Sequence, residues 1–265
     1  MFSIVIPTMQ KNVKVLNMLL AELVLDKYVG EIIIIDNSLL GISYKSDKIK
    51  VITPAENLYV NPAWNLGVAI AKNKFVGILN DDLIFPKKFL MSVYEFFKKQ
   101  IDIGFIGLNI IPKTADENFS NYPKDTNLIF NQVNIRTSDW GSAFFFKKTD
   151  YINIPDELKV WCGDDFLFYK SLDNGKKNYA ISNSNVMHLH SLTSNRKEFD
   201  VIKYQDQLYY EKVNSKYKFL MGAPRYTLLQ KIFSIQNAYY NNVKHKIIYI
   251  LGLKISIKVK RKIQF

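Results

Sequence analysis

Two pairs of adjacent acids carry the most chemistry in a chain that has only 24 Asp and Glu among its 265 residues. Asp81 and Asp82 follow Asn80 directly after the apolar run Phe75 to Leu79, and Asp164 and Asp165 follow Trp161, Cys162 and Gly163. Neighbouring carboxylates repel, so at the end of a buried strand they must be solvated or neutralised. A hard divalent cation does this well. Mg2+ or Mn2+ takes oxygen ligands, usually shares them with substrate phosphates, and needs one or two protein carboxylates. Asn80-Asp81-Asp82 therefore reads as a metal-diphosphate station, or more plainly as a loop and cap ahead of Pro86. Asp164 and Asp165 suit the first turn of a helix, where the dipole keeps a carboxylate ionised. There one of them either caps the helix or accepts a proton from a hydroxyl nucleophile. His188 and His190 lie on one side of a strand, and that face offers imidazole to a metal or simply packs it.

The elements that would hold these groups are legible in outline. Phe2 to Pro7, Ile32 to Ile35, Lys50 to Thr53 and Phe75 to Leu79 read as strands, with helices over Val13 to Leu25, Pro62 to Ala71 and Pro86 to about Lys99. Apolar strands alternating with helices predict an α/β fold with a mostly parallel sheet covered on both faces. In such sheets ligands lie beyond the carboxyl ends of the strands. Asp36 and the Asp81/Asp82 pair both fall there and can face one crevice. Residues 112 to 136, polar and with two prolines, predict a mobile loop over that crevice. Trp140 to Lys147 recovers strand character, Asp164 to Leu172 is helical, Tyr179 to His190 is a strand, and Glu198 to Tyr240 has helical spacing.

The composition is globular, with 48% hydrophobic and 23% charged residues. The formal charge of +12 suggests a nucleic-acid partner until it is located. Up to Glu211 there are 24 basic and 24 acidic residues, whereas Lys212 to Phe265 holds 12 basic residues and no acid. A neutral body without a reading motif predicts no nucleic-acid partner. The tail joins the mostly apolar Ile247 to Leu253 to Lys254, Lys258, Lys260, Arg261 and Lys262, a pairing that suits an anionic membrane surface, where each basic residue near the lipid contributes about 1 kcal/mol. A basic end packed on its own domain is the other reading, and the period-two alternation of Leu253 to Val259 is strand-like. Cys162 is the only cysteine. It has no partner for a disulfide or a cysteine zinc site, which favours a reducing compartment. MFSIVIPT lacks the basic start of a signal peptide, and no window reaches the ~18 apolar residues of a membrane span, so the expected location is cytoplasmic.

Taken in order, the strand ending in Asp36, Asn65-Leu66-Gly67, Asn80-Asp81-Asp82, Trp140-Gly141, Gly163-Asp164-Asp165 with Gly175, and His188/His190 followed by Ser194 resemble the family 2 glycosyltransferases of the GT-A fold. The likeness spans roughly residues 1 to 200 and is strongest to the bacterial sugar transferases that build lipopolysaccharide or capsule. It implies a catalytic domain over 1–211, with a nucleotide-binding half to about 111 and an acceptor half to 211; the charge of the tail adds the expectation of a basic, helical, membrane-associating segment over 212–265. It also implies an inverting hexosyl- or deoxyhexosyl-transferase, moving sugar from a nucleotide-diphosphate donor to a hydroxyl of a glycan or lipid-linked glycan. Pro7 and Thr8 would lie near the nucleotide, Asp36 would bind the base, Asn65 would close the nucleotide site, Asp81 would serve the donor, and Trp140 and Gly141 would flank donor sugar and acceptor. Asp82 would hold Mn2+ or Mg2+ with His190 or His188, and Asp165 would be the catalytic base, supported by Asp164. The chain departs from the family pattern with Asn80 in place of Asp and Asp164 in place of Glu. A sugar-phosphate nucleotidyltransferase would need a glycine-rich phosphate loop, which VIPTMQKN lacks. A non-catalytic adaptor on the same fold would be expected to lose Asp82 or Asp165, and both are present.

Overall fold

Four consecutive isoleucines, Ile32 to Ile35, put β-branched side chains on both faces of one strand, and such a run is stable only where both faces are covered. All four are buried. The computed structural model describes residues 1–109, 123–136, 140–188 and 199–214, together with the strands at 233–240, 243–250 and 253–258. The chain divides into two units, Met1–Lys218 and Phe219–Phe265.

The first unit contains β1 (Phe2–Thr8), α1 (Val13–Leu25), β2 (Val29–Asp36), β3 (Ile49–Ile52), α2 (Asn61–Ile70), β4 (Phe75–Leu79), β5 (Leu83–Ile84), α3 (Phe89–Lys99), β6 (Ile103–Leu108), β7 (Ile129–Val133), β8 (Ala143–Lys147), α4 (Gly163–Asp173), β9 (Lys177–Ser182), β10 (Met187–His188) and α5 (Asp200–Val213). Eight strands form one sheet in the order β3-β2-β1-β4-β8-β6-β9-β7. Six run parallel, while β8 and the edge strand β7 run against their neighbours. β10 pairs antiparallel with β5, which places His188 opposite Leu83.

Burial follows the expected periods. Asn12 caps α1 by accepting from the Val15 N–H at 3.1 Å, and Val15, Leu16, Leu19, Leu20 and Leu23 turn inward. Phe89, Val93 and Phe97 of α3 join Phe2, Ile4 and Ile6 in the same core. α4 is locked to the sheet by a buried amide. Asn178 accepts from the Phe105 N–H at 3.0 Å and the Ser171 hydroxyl at 2.8 Å, and donates to the Phe168 carbonyl at 2.7 Å. The helix that carries Asp164 and Asp165 therefore has a fixed seat on β6 and β9.

Three expectations need correction. The loop predicted over 112–136 contains β7, whose half-polar sequence IFNQV forms an exposed edge strand paired with β9; residues 110–122 lie outside the described part. The strand expected over Tyr179 to His190 is two strands, parted by a turn in which Asn183 and Asn185 take positive φ. Helical structure does not run from Glu198 to Tyr240, nor through the tail. α5 ends at Val213, and the second unit holds β11 (Phe233–Tyr240), β12 (Val243–Ile250) and β13 (Leu253–Lys258) as an antiparallel sheet in that order. β-branched and aromatic residues crowd these three segments and favour strands over helix. No helix among the described residues is long and apolar enough to cross a membrane.

Candidate functional site

At the carboxyl edge of the parallel strands, β1 ends in Thr8 directly beside Asp36 at the end of β2. Asp36 is fully buried, and its oxygens are met by donors from its own loop and from Gln10. One oxygen accepts from the Ser38 N–H, the Ser38 hydroxyl and Gln10 Nε2, and the other from the Gly41 N–H at 2.7 Å. Thr8 donates its hydroxyl to Asp81 Oδ2 at 2.5 Å and accepts from the Gln10 N–H. Burial pushes the Asp81 carboxyl up to about 6, the Thr8 hydroxyl opposes that rise, and the charge of Asp82 adds to it. Pro7 stands half-buried one residue before Thr8.

Asp82 is 6% exposed, and its Oδ1 has no hydrogen-bond donor. His188 Nε2 lies 3.1 Å from that oxygen, an ion-pair contact when the imidazole is protonated. A buried carboxylate oxygen without a donor is unfavourable unless a cation meets it. One such oxygen beside one imidazole nitrogen fits part of a Mn2+ or Mg2+ shell, whose other places water and diphosphate oxygens fill. No third His, Cys, Asp or Glu among the described residues completes a three-ligand group. His190 lies outside the described residues.

The second acidic pair occupies the first turn of α4, and an arginine that the sequence reading passed over binds both members. Arg136 Nη1 lies 3.1 Å from Asp164 Oδ2, and Arg136 Nε donates to Asp165 Oδ1 at 2.5 Å. Asp165 is 3% exposed. Burial and then the charge of Asp164 raise its carboxyl above the ordinary carboxylate range, with Arg136 pulling the other way. Burial, followed by the charges of Asp165 and Asp164, holds the Cys162 thiol well above its usual range, so it stays protonated and is a poor nucleophile.

Close packing explains the glycines of both motifs. A Cβ on Gly141 would stand 2.2 Å from Asp164 Oδ2, and one on Gly163 would stand 2.1 Å from Asn61 Oδ1. The loop that leads into α4 is gripped from two sides. Asp206 of α5, 1% exposed, accepts from the Lys159 N–H at 2.9 Å and from the Val160 and Trp161 N–H groups at 2.7 Å each. Asn61 of α2 donates its amide to the Trp161 carbonyl at 3.0 Å, and its backbone N–H meets the Lys159 carbonyl. Cys162 is thereby held at φ 60°, an uncommon setting for a residue with a side chain.

These clusters are continuous. The Asn80 N–H donates to the Ser142 carbonyl at 2.9 Å, Ser142 Oγ lies 3.5 Å from His188 Nδ1, and the adjoining Gly141 sits against Asp164. A line of contacts thus runs from Asp36 through Gln10, Thr8, Asp81, Asp82, His188 and Gly141 to Asp164 and Asp165. Two expected residues stand apart from it. Asn65 holds the backbone of Ile154 in both directions and accepts from the Tyr151 hydroxyl, so its amide pins the 151–154 segment. Trp140 is fully buried, stacked on Phe144 with its indole N–H on the Tyr179 carbonyl, and is a core residue. Arg136 and Asp206 were missed. Arg136 had one usable signal, being the sole arginine in the first 195 residues. Asp206 had none, because its partners are backbone groups more than 40 residues away.

Comparison with known proteins bears on this site. The family model for glycosyl transferase family 2 matches residues 3–154. Among solved structures, TarS 1-349 of S. aureus in complex with UDP-GlcNAc superposes with a TM-score of 0.53 at 16% identity, covering 86% of this chain and 77% of that one. A longer TarS structure gives a TM-score of 0.50 at 16% identity, over 87% of this chain and 46% of that one. At such identity the likeness shows a shared fold. Among curated protein sequences none matches. The matched span holds Thr8, Asp36, Asp81, Asp82, Arg136 and Gly141, whereas the Asp164/Asp165 pair, His188 and Asp206 lie past it.

The grip of Asp206 is testable by itself. Asp206→Asn turns one acceptor into a donor that faces backbone N–H groups, and hydrogen bonds to a charged group contribute ~1.5–3 kcal/mol each. We expect unfolding in urea to show a loss of about 2–4 kcal/mol of stability; an unchanged midpoint would contradict the assigned role.

Proposed function

The chain belongs to glycosyl transferase family 2, and from that premise we propose that it transfers a sugar from a nucleotide-diphosphate donor to a hydroxyl of a glycan or lipid-linked glycan, with inversion at the anomeric carbon. One observation carries the reading: the buried, donorless oxygen of Asp82 and the Arg136-bound acid pair lie along the same edge of the sheet, joined through Ser142 and Gly141. The donor class is supported by the shared fold of a TarS structure in complex with UDP-GlcNAc.

In this reading Thr8 and Asp81, with Pro7 beside them, face the nucleotide end of the donor. Asp36 shapes the loop against which the base rests. Asp82, with His190 or His188, would hold Mn2+ or Mg2+, and the cation would supply positive charge against the growing charge of the diphosphate leaving group. Asp165 acts on the acceptor. Its carboxylate takes the proton of the attacking hydroxyl while the oxygen bonds to the anomeric carbon and the bond from that carbon to the diphosphate oxygen breaks. Asp164 shares Arg136, which fixes the two acids beside each other. The basic second unit is read as contact with an anionic membrane surface on the cytoplasmic side, and the product as a surface polysaccharide of the lipopolysaccharide or capsule type.

Asp165→Asn should leave donor binding in place and lower transfer by about 10²–10⁴-fold, the range for a lost general base. Radiolabelled sugar transfer measured beside equilibrium binding of the nucleotide checks this, and near-normal transfer would remove Asp165 as the base. Its pH dependence has a definite sign. A base works deprotonated, so activity rises as pH passes the elevated Asp165 value, and the acid limb of kcat/KM should lie above the ordinary carboxylate range. Arg136→Gln removes the group that holds that value down. The limb should then move to higher pH, and a shift to lower pH would contradict the ion pair's role.

A further inference from the structure

Tyr210 of α5 is fully buried, and its hydroxyl has no hydrogen-bond partner. A phenol in a protein interior usually finds an acceptor, and leaving the hydroxyl without one is unfavourable. Its place in the fold narrows the reason. Asp206, four residues earlier, lies on the same helical face, and its carboxylate accepts from the N–H groups of Lys159, Val160 and Trp161. That grip seats this face of α5 on the loop that runs through Cys162 into the first turn of α4, where Asp164 and Asp165 stand.

The groups around Tyr210 are those of that turn. Burial and then the charge of Asp165, followed by Tyr169, Cys162 and Asp164, hold the phenol above its usual range, so it stays protonated and has a hydrogen to donate. Asp165 in turn faces Asp164 on its own helix, Arg136 from the segment between β7 and β8, Cys162 from the loop and Tyr210 from α5. Arg136 Nε meets Oδ1 of Asp165, while Nη1 of the same guanidinium is committed to Asp164. A carboxylate that turns toward an attacking hydroxyl strains its bond to a guanidinium anchored on its neighbour. A second donor then keeps it charged and aimed. Tyr210 has no exposed surface, so it acts through Asp165 and touches no substrate.

Resting on the reading of Asp165 as the base, we propose that Tyr210 is its positioning residue: the buried hydroxyl donates to the Asp165 carboxylate when that group turns from Arg136 toward the acceptor. The bond favours the charged form of Asp165 and fixes its direction. Its loss therefore raises the pH at which Asp165 ionises and lowers turnover. A hydroxyl that served packing alone would do neither, because phenylalanine fills the same space.

The test is a carbon-13 NMR titration of the side-chain carboxyls of the full chain, with the Asp165 signal identified by its absence in Asp165→Asn. Arg136→Gln frees the Asp165 carboxylate, and Tyr210→Phe is added to it. The Asp165 midpoint should rise by about 0.5 pH unit or more from the single to the double variant, since a donor to the charged form has been removed. An unmoved or lowered midpoint would overturn the proposal. A moved midpoint upholds it whatever the unfolding temperature, while a lower unfolding temperature with an unmoved midpoint would make the hydroxyl a fold contact only. In sugar transfer, Tyr210→Phe alone should lower kcat about ten-fold with KM for the nucleotide sugar unchanged; an unchanged kcat would also overturn the role. Absence of transfer by the unsubstituted chain would defeat the transferase reading and leave the bond between Tyr210 and Asp165 to be decided by the midpoint.

Discussion

Burying negative charge is the constraint from which the organisation of the first unit follows. Among the described residues, four aspartates are buried as whole residues, Asp36, Asp82, Asp165 and Asp206. An isolated buried carboxylate is strongly destabilising, so each needs compensation of its own. Asp36 takes N–H and hydroxyl groups from its loop, Asp206 takes three successive backbone N–H groups, and Asp165 takes a guanidinium. Asp82 differs, because one of its oxygens has no donor. The kind of compensation sorts the acids by task. Asp36 and Asp206 hold loops in shape, while in the proposed reading Asp165, paired with Arg136, exchanges a proton and Asp82, left short, takes a cation.

This division also explains why α5 matters although it lies beyond the matched family span. Asp206 fixes residues 159–161, which fix Cys162 and Gly163, which set where Asp164 and Asp165 stand on α4. Asn178 fixes the far end of that helix to the sheet. The position of the acid pair is therefore imposed from two sides by buried hydrogen bonds, and for the proposed proton transfer a misplacement of about 1 Å can lower a rate ~10²-fold. Arg136 completes the arrangement from the segment between β7 and β8.

The parts of the fold readable from sequence were those governed by local periodicity. The apolar runs of β1, β2 and β4 and the spacing of α1 and α3 point to a parallel sheet, and the acids at the strand ends follow from it. What stayed hidden depends on contacts between distant residues. β7 looks like a loop because an edge strand needs only half of its hydrogen bonds and tolerates Asn131 and Gln132. Asn65 and Trp140 sit in motif positions, yet their polar groups are engaged by Ile154, Tyr151 and Tyr179, which only tertiary structure reveals. The tail gave mixed signals, since apolar and polar residues alternate in Leu253 to Lys258 while the basic charge suggests an amphipathic helix, and the strand period prevailed.

The central claim is that the Asp82/His188 end and the Asp164/Asp165 end form one site. A crystal structure of the full chain with UDP and Mn2+ tests it most directly. The account predicts manganese bound to Asp82 and His188, with the diphosphate on the side of the cation that faces Asp165. Manganese and diphosphate seated elsewhere, with Asp82 and His188 untouched, would contradict it.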